Sequence, residues 1–145
     1  MDRKIRYAVC GLGVGKGHCD AAIASANADL VAVCDLIPEK MEKIAEKCPG
    51  LKMYTDFNDL IADPDIDIIS ICLPSSLHAE YAVRAMEAGK HVLVEKPIDI
   101  TVEAAQKIEE ARLQPLSARP ARTPAFPRTS RSMAQTVPSK RIRIN

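Results

Sequence analysis

The sequence predicts an α/β fold built on a doubly wound parallel sheet. Short apolar runs alternate with segments of helical period from residue 4 to about residue 111. Those runs are apolar on both faces, as strands buried between two helical layers are. A glycine cluster separates the first apolar run from the first helical segment. The expected strand order is 3-2-1-4-5, with the sixth strand of the full doubly wound set missing.

Residues 4–10 (Lys-Ile-Arg-Tyr-Ala-Val-Cys) alternate and then turn wholly apolar, as a strand entering a core does. Gly11-Leu12-Gly13-Val14-Gly15-Lys16-Gly17 follows. Cys19, Ala22, Ile23 and Ala26 then recur at the spacing of one helix face. Residues 30–34 (Leu-Val-Ala-Val-Cys) form a second strand, closed by Asp35. Pro38 suits a first helical position, where its missing N–H is not needed. Met41, Ile44, Ala45 and Cys48 carry that helix to Pro49-Gly50. A short strand at 51–54 and a short helix at about 56–62 lead to the break Asp63-Pro64-Asp65. Residues 66–73 form a nearly continuous apolar strand. Ser75 or Ser76 can cap the next helix, which sets Ala79, Ala82, Val83 and Met86 on one face and closes at Gly89. His91-Val92-Leu93-Val94 is a fifth strand running into Glu95-Lys96-Pro97. Thr101 can cap a last helix with Ala104, Ile108 and Ala111 on one side.

A chain of 145 residues, 47% hydrophobic and 27% charged, suits one ordinary soluble domain. No run of eighteen apolar residues is present, so no membrane partner is expected. The N-terminus enters a strand without an apolar leader, which points to the cytoplasm. The cysteines at 10, 19, 34, 48 and 72 form no C-x-x-C pair, and His18, His78 and His91 lack ligand spacing to them. Neither a disulfide framework nor a zinc site is expected. The net charge of +1 hides a break: residues 1–111 carry 12 Lys/Arg and 19 Asp/Glu, residues 112–145 carry 8 Lys/Arg and no acid. The division is therefore a folded unit at 1–111 and an irregular, disordered Arg/Pro/Ser-rich tail at 112–145 with five prolines. Translation out of frame is one reading of that tail. A basic arm is the other, but Phe126 is its one aromatic, so no base-stacking pattern supports nucleic acid as a partner.

Residues 4–35 have the size of one βαβ unit. Gly11, Gly13, Val14 and Gly15 bring bare backbone and a helix N-terminus to one place, which suits a pyrophosphate; Lys16 can add a charge. Asp35 stands 20 residues past Gly15, at the end of the second strand, where a carboxylate accepts from a ribose 2′-hydroxyl. Such a bond is worth roughly 1.5–3 kcal/mol. A 2′-phosphate would meet like charge there, and Leu36 and Ile37 offer no cation. NAD is favoured over NADP. The spacing is G-x-G-x-G-x-G, with Lys16 where G-x-G-x-x-G requires glycine. Methyltransferases using S-adenosylmethionine share G-x-G-x-G, but usually carry an acid two residues before the first glycine, where Val9 stands.

Gly11-Leu12-Gly13 with His18, Val33-Cys34-Asp35, Leu73-Pro74-Ser75-Ser76-Leu77-His78 and Glu95-Lys96-Pro97 together resemble the Gfo/Idh/MocA oxidoreductases, relatives of glucose–fructose oxidoreductase and inositol dehydrogenase. The likeness runs from residue 4 to about 111. It implies an N-terminal Rossmann domain that binds NAD or NADP, and hydride transfer between nicotinamide and a sugar, cyclitol or related hydroxyl-bearing carbon. It implies that Lys96 is catalytic and lies near the reacting carbon, and that Glu95 places the cofactor or Lys96. Pro97 would fix the turn, for which a cis bond is available. Leu73, Pro74, Ser75 and His78 would lie along the cofactor. His18 would pack or cap beneath the glycine loop or touch the ligand, and His91 would be structural. The family's second domain, with an Asp and a His, has no counterpart in 112–145. The chain is accordingly expected to be C-terminally truncated, to bind dinucleotide, and to be inactive alone, the small polyhydroxylated substrate belonging to full-length relatives. The open edge beside the fifth strand favours self-association. A non-catalytic dinucleotide-sensing module is the remaining alternative.

Overall fold

Strand and helix alternate five times across residues 3–114, the residues that the computed structural model describes. The expectations for 115–145 lie outside them. The strands are β1 (Ile5–Cys10), β2 (Ala28–Cys34), β3 (Lys52–Tyr54), β4 (Ile68–Ile71) and β5 (His91–Val94). The helices are α1 (Gly15–Ala24), α2 (Pro38–Ala45), α3 (Phe57–Ala62), α4 (His78–Glu87) and α5 (Val102–Leu113). All pairings are parallel, in the order β3-β2-β1-β4-β5. This is the order the sequence predicts.

The two-residue period of the strands sorts the core into two layers. Ala8, Cys10, Ala32, Cys34, Ile69 and Ile71 face Phe57 and Leu60 of α3 and Ala85 of α4. Val9 and Val33 face the other way, with Cys72, towards Cys19 and Ala22 of α1 and Met41 and Ile44 of α2.

The caps explain where the helices begin. Pro38 opens α2, and Thr101 Oγ1 accepts from Ala104 N at 3.1 Å at the start of α5. Asp56 caps α3 through Asn58 N at 2.7 Å. At α4 the expected serine cap is not made. Residues Ser75–Leu77 form a 3-10 turn instead, and Asp99 accepts from Ala79 N at 2.9 Å from across the β5–α5 loop. Three further expectations are corrected. Helix α1 stops at Ala24, before Ala26, and Ile23 is exposed within it, so only Cys19 and Ala22 of the proposed stripe are buried. The fourth strand is Ile68–Ile71, shorter than 66–73. Leu93 is not sandwiched between layers: it is 44% exposed, on a strand that pairs only with β4 among the described residues.

At the amino edge of the sheet, Asp67 is buried among Arg6 N (2.9 Å), the Arg6 guanidinium (2.8 Å) and Arg3 (3.1 Å). Burial pushes its carboxyl up, but the Arg6 and Arg3 contacts outweigh that and hold it down at about 2. Lys90 is buried beside it and donates to the carbonyls of Asp63 and Ile66. These charges lock one edge and leave the carboxyl edge for ligands, where open α/β sheets bind them.

Candidate functional site

Three turns leave the carboxyl edge side by side, because β1, β4 and β5 are neighbours. The first is the glycine turn. Gly11 has φ +90°, and a Cβ there would sit 2.5 Å from Cys72 O. A Cβ on Gly15 would sit 2.7 Å from Val9 Cγ1. These two glycines let α1 and the end of β4 close on β1. A Cβ on Gly13 or Gly17 would meet no atom within 4 Å. The amides of Gly13, Val14 and Gly15 have no acceptor among the described residues, and Val14 itself is 67% exposed. Free N–H groups at a helix start, next to room for a ligand, fit a pyrophosphate.

Asp35 lies at the end of β2, beside this turn. Its Oδ2 accepts from Leu12 N at 2.8 Å and its Oδ1 from Ile37 N at 3.0 Å. It therefore braces the glycine turn. A carboxylate has about four acceptor positions, so two remain open. Lys40, not singled out from the sequence, stands 4.0 Å from Asp35 Oδ2. Its position in the first turn of α2 carried no motif.

The second turn holds Leu73, Pro74 and Ser75, of which Pro74 is exposed and the other two half-buried. His78 does not lie along a ligand surface. It is buried, with Nε2 2.7 Å from Leu73 O and Nδ1 2.7 Å from Pro97 O. Its part is to tie the second turn to the third.

The third turn is Glu95-Lys96-Pro97, with a cis Lys96–Pro97 bond. Lys96 is exposed, and its ammonium makes no hydrogen bond within the described residues. Glu95 points inwards: Oε1 meets His18 Nε2 at 2.8 Å and Oε2 accepts from Lys96 N at 3.0 Å. The His18 contact first, and the Lys96 N–H second, hold its carboxyl below the usual range. His18 Nδ1 meets Ser70 Oγ at 2.8 Å. Ser70 escaped the sequence reading, although a serine inside the apolar run Ile68-Ile69-Ser70-Ile71 was the visible signal. No group of His, Cys, Asp and Glu able to hold a metal occurs among the described residues, nor any helix long and apolar enough to cross a membrane. A cavity of about 950 Å³ lies elsewhere, between α4 and α5, lined by Val83, Met86, Lys107 and Ala111 among others.

A doubly wound parallel sheet with a glycine turn after β1, an acid after β2 and turns after β4 and β5 that share its carboxyl edge defines a dinucleotide-binding domain. Comparison with known proteins narrows the class. The chain belongs to the Gfo/Idh/MocA oxidoreductase family, whose NAD-binding Rossmann-fold model matches residues 5–114. It is 34% identical over 116 residues to the scyllo-inositol 2-dehydrogenase (NAD(+)) of Bacillus subtilis, covering 76% of this chain and 34% of that one. Among solved structures it is similar to apo scyllo-inositol dehydrogenase from Lactobacillus casei, with TM-score 0.71, 30% identity, and coverage of 75% of this chain and 33% of that one. It is also similar to KijD10, a 3-ketoreductase from Actinomadura kijaniata in complex with NADP and TDP-benzene, with TM-score 0.69, 27% identity, and coverage of 75% and 34%. The chain spans about a third of the length of the curated relatives it matches.

Proposed function

We propose that this chain supplies the cofactor half of an oxidoreductase that moves hydride between nicotinamide and a hydroxyl-bearing carbon of a cyclitol, sugar or related polyol. The observation that carries the reading is the placement of Lys96 at the end of β5, joined through Glu95 to the helix that follows the glycine turn. Bound nicotinamide supplies the hydride acceptor or donor. Gly11, Gly13, Val14 and Gly15 would seat the pyrophosphate and Asp35 the ribose. Leu73, Pro74, Ser75 and Pro97 would line the path to the reacting end. Lys96 would donate a hydrogen bond to the substrate hydroxyl and help its proton leave. The polyol substrate class rests on the names of the inositol dehydrogenases that the chain resembles.

NAD is favoured over NADP, because Asp35 opposes a 2′-phosphate; Lys40 reduces that opposition. Residues 1–111 form the proposed dinucleotide domain, with α5 running on to Leu113. Five free cysteines suit a reducing cytoplasm. Self-association through the open edge of β5 is part of the same proposal. Calorimetric titration with NADH, NADPH and S-adenosylmethionine tests the main reading. NADH should bind more tightly than NADPH, and S-adenosylmethionine not at all. Binding of S-adenosylmethionine without NADH would make the chain a methyltransferase-type domain.

A further inference from the structure

The network under the glycine turn joins three elements far apart in sequence. Val9, Ser70 and Leu93 are in register across β1, β4 and β5, so their side chains share one face of the sheet, which α1 covers at β1 and β4. Ser70 is fully buried on that face, in a position where an apolar residue would pack without cost. Its hydroxyl meets His18 Nδ1 from α1, and His18 Nε2 meets Glu95 beyond β5. The second oxygen of Glu95 takes the Lys96 N–H. Both carboxylate oxygens are thus engaged within the protein. Glu95 acts here as a brace, and the brace is anchored on the imidazole of a residue three positions past Gly15.

We infer that His18 is a positioning residue: through Glu95 it holds the Lys96 turn in register with the helix whose first amides face the pyrophosphate seat. The inference rests on the dinucleotide reading above. One helix then sets both ends of the site. Its first turn meets the phosphates, and its second turn, by way of His18, fixes the backbone that carries Lys96. A His18 that only filled space between α1 and β4 would satisfy its nitrogens with solvent or nearby backbone, and would need no acid from beyond β5. Here both are paired at 2.8 Å, one of them to an acid 77 residues away.

The test uses the full 145-residue chain as wild type, His18→Ala, His18→Gln and Glu95→Gln. Two quantities are read: the Lys96 amide resonance by ¹H–¹⁵N NMR, and calorimetric affinities for NADH and for ADP-ribose, which lacks the nicotinamide. His18→Ala should shift the Lys96 amide. It should also weaken NADH about tenfold more than ADP-ribose, the size expected for losing a hydrogen bond to a charged group. His18→Gln, whose amide can still donate to Glu95, should restore most of both. Glu95→Gln, nearly isosteric, should reproduce the amide shift even if His18→Ala does not fold. Equal weakening of both ligands with an unmoved Lys96 amide would overturn the inference and leave His18 a packing residue. A wild-type chain that binds neither ligand overturns the dinucleotide reading instead, and the Lys96 amide then still decides the link through Glu95.

Discussion

Replacing Gly13 with alanine should separate what the fold needs from what the ligand needs. A Cβ on Gly13 meets nothing within 4 Å, and its φ is not among the positive ones. The folded chain therefore accommodates the methyl group. A glycine-to-alanine change at such a site stabilises by about 0.4–1 kcal/mol, through the lost freedom of the unfolded chain. For a domain of this size, 1 kcal/mol moves the melting temperature by roughly 4–8 °C. Gly13→Ala should melt at the wild-type temperature or a few degrees above it. The same methyl group occupies the open space that a pyrophosphate would enter. Losing one charge-assisted bond costs about 1.5–3 kcal/mol, or roughly 10- to 100-fold in NADH affinity. Gly11→Ala is the contrasting control. It combines φ +90° with a contact 2.5 Å from Cys72 O, and should lower the melting temperature sharply whatever the ligand does. Melting followed by circular dichroism and NADH titration by calorimetry give both readouts. A Gly13→Ala chain that melts like wild type and binds NADH like wild type would refute the placement of the pyrophosphate at this turn.

Asp35→Ser should raise the ratio of NADPH to NADH affinity. Like charges about 5 Å apart repel by about 3 kcal/mol at an effective dielectric constant near 20; with Lys40 offsetting part of this, a shift of about tenfold is expected in paired titrations. Asp67 should give the chain an acid-side weakness. Its folded pKa of about 2 lies below the ordinary 3.8, so its contribution of about 2 kcal/mol is present above pH 4 and fades as the pH falls towards 2. Asp67→Asn should lower urea stability at pH 7 and flatten that dependence, whereas an unchanged slope would assign acid unfolding elsewhere. Leu93→Lys should leave the melting temperature within about 2 °C, as surface changes do, and reduce any concentration-dependent association seen in sedimentation. Unaltered association would place that contact away from β5.

Those features of the fold that depend on neighbours in sequence were legible. Strand order followed from five apolar runs and their helical crossovers, and Pro38 and Thr101 marked helix starts because a cap acts within three residues. The glycine turn and Asp35 were legible as one motif. The sequence did not distinguish glycines that pack from glycines that leave room. That distinction depends on Cys72 and Val9, the first of which arrives from the turn after β4. Ser75 and Ser76 had the chemistry to cap α4, yet Asp99, 20 positions from Ala79, makes the bond. His78 looked like a ligand contact because of its place after β4, and burial against two carbonyls gives it other work. The Ser70–His18–Glu95 chain was invisible for the same reason: its links span 52 and 77 residues, and no local periodicity reports them.

The five thiols give the chain a chemical clock for unfolding. Cys10, Cys19, Cys34 and Cys72 are buried, and Cys48 is half-covered with its Sγ 3.3 Å from Leu30 O. Burial pushes Cys19 up to about 12 and raises Cys48 as well. Alkylating reagents attack accessible thiolates, so Cys19 and Cys48 should label slowly through their raised thiols, and Cys34, whose thiol the Cys10 contact lowers, should be kept from the reagent by burial alone. Each opening that exposes α1 or the inner strands should be recorded as a permanent mass increment. The chain has no tryptophan, so ordinary intrinsic fluorescence reports little of its folding. Mass spectrometry of alkylated protein can supply what fluorescence does not, with the site of each adduct naming the layer that opened first.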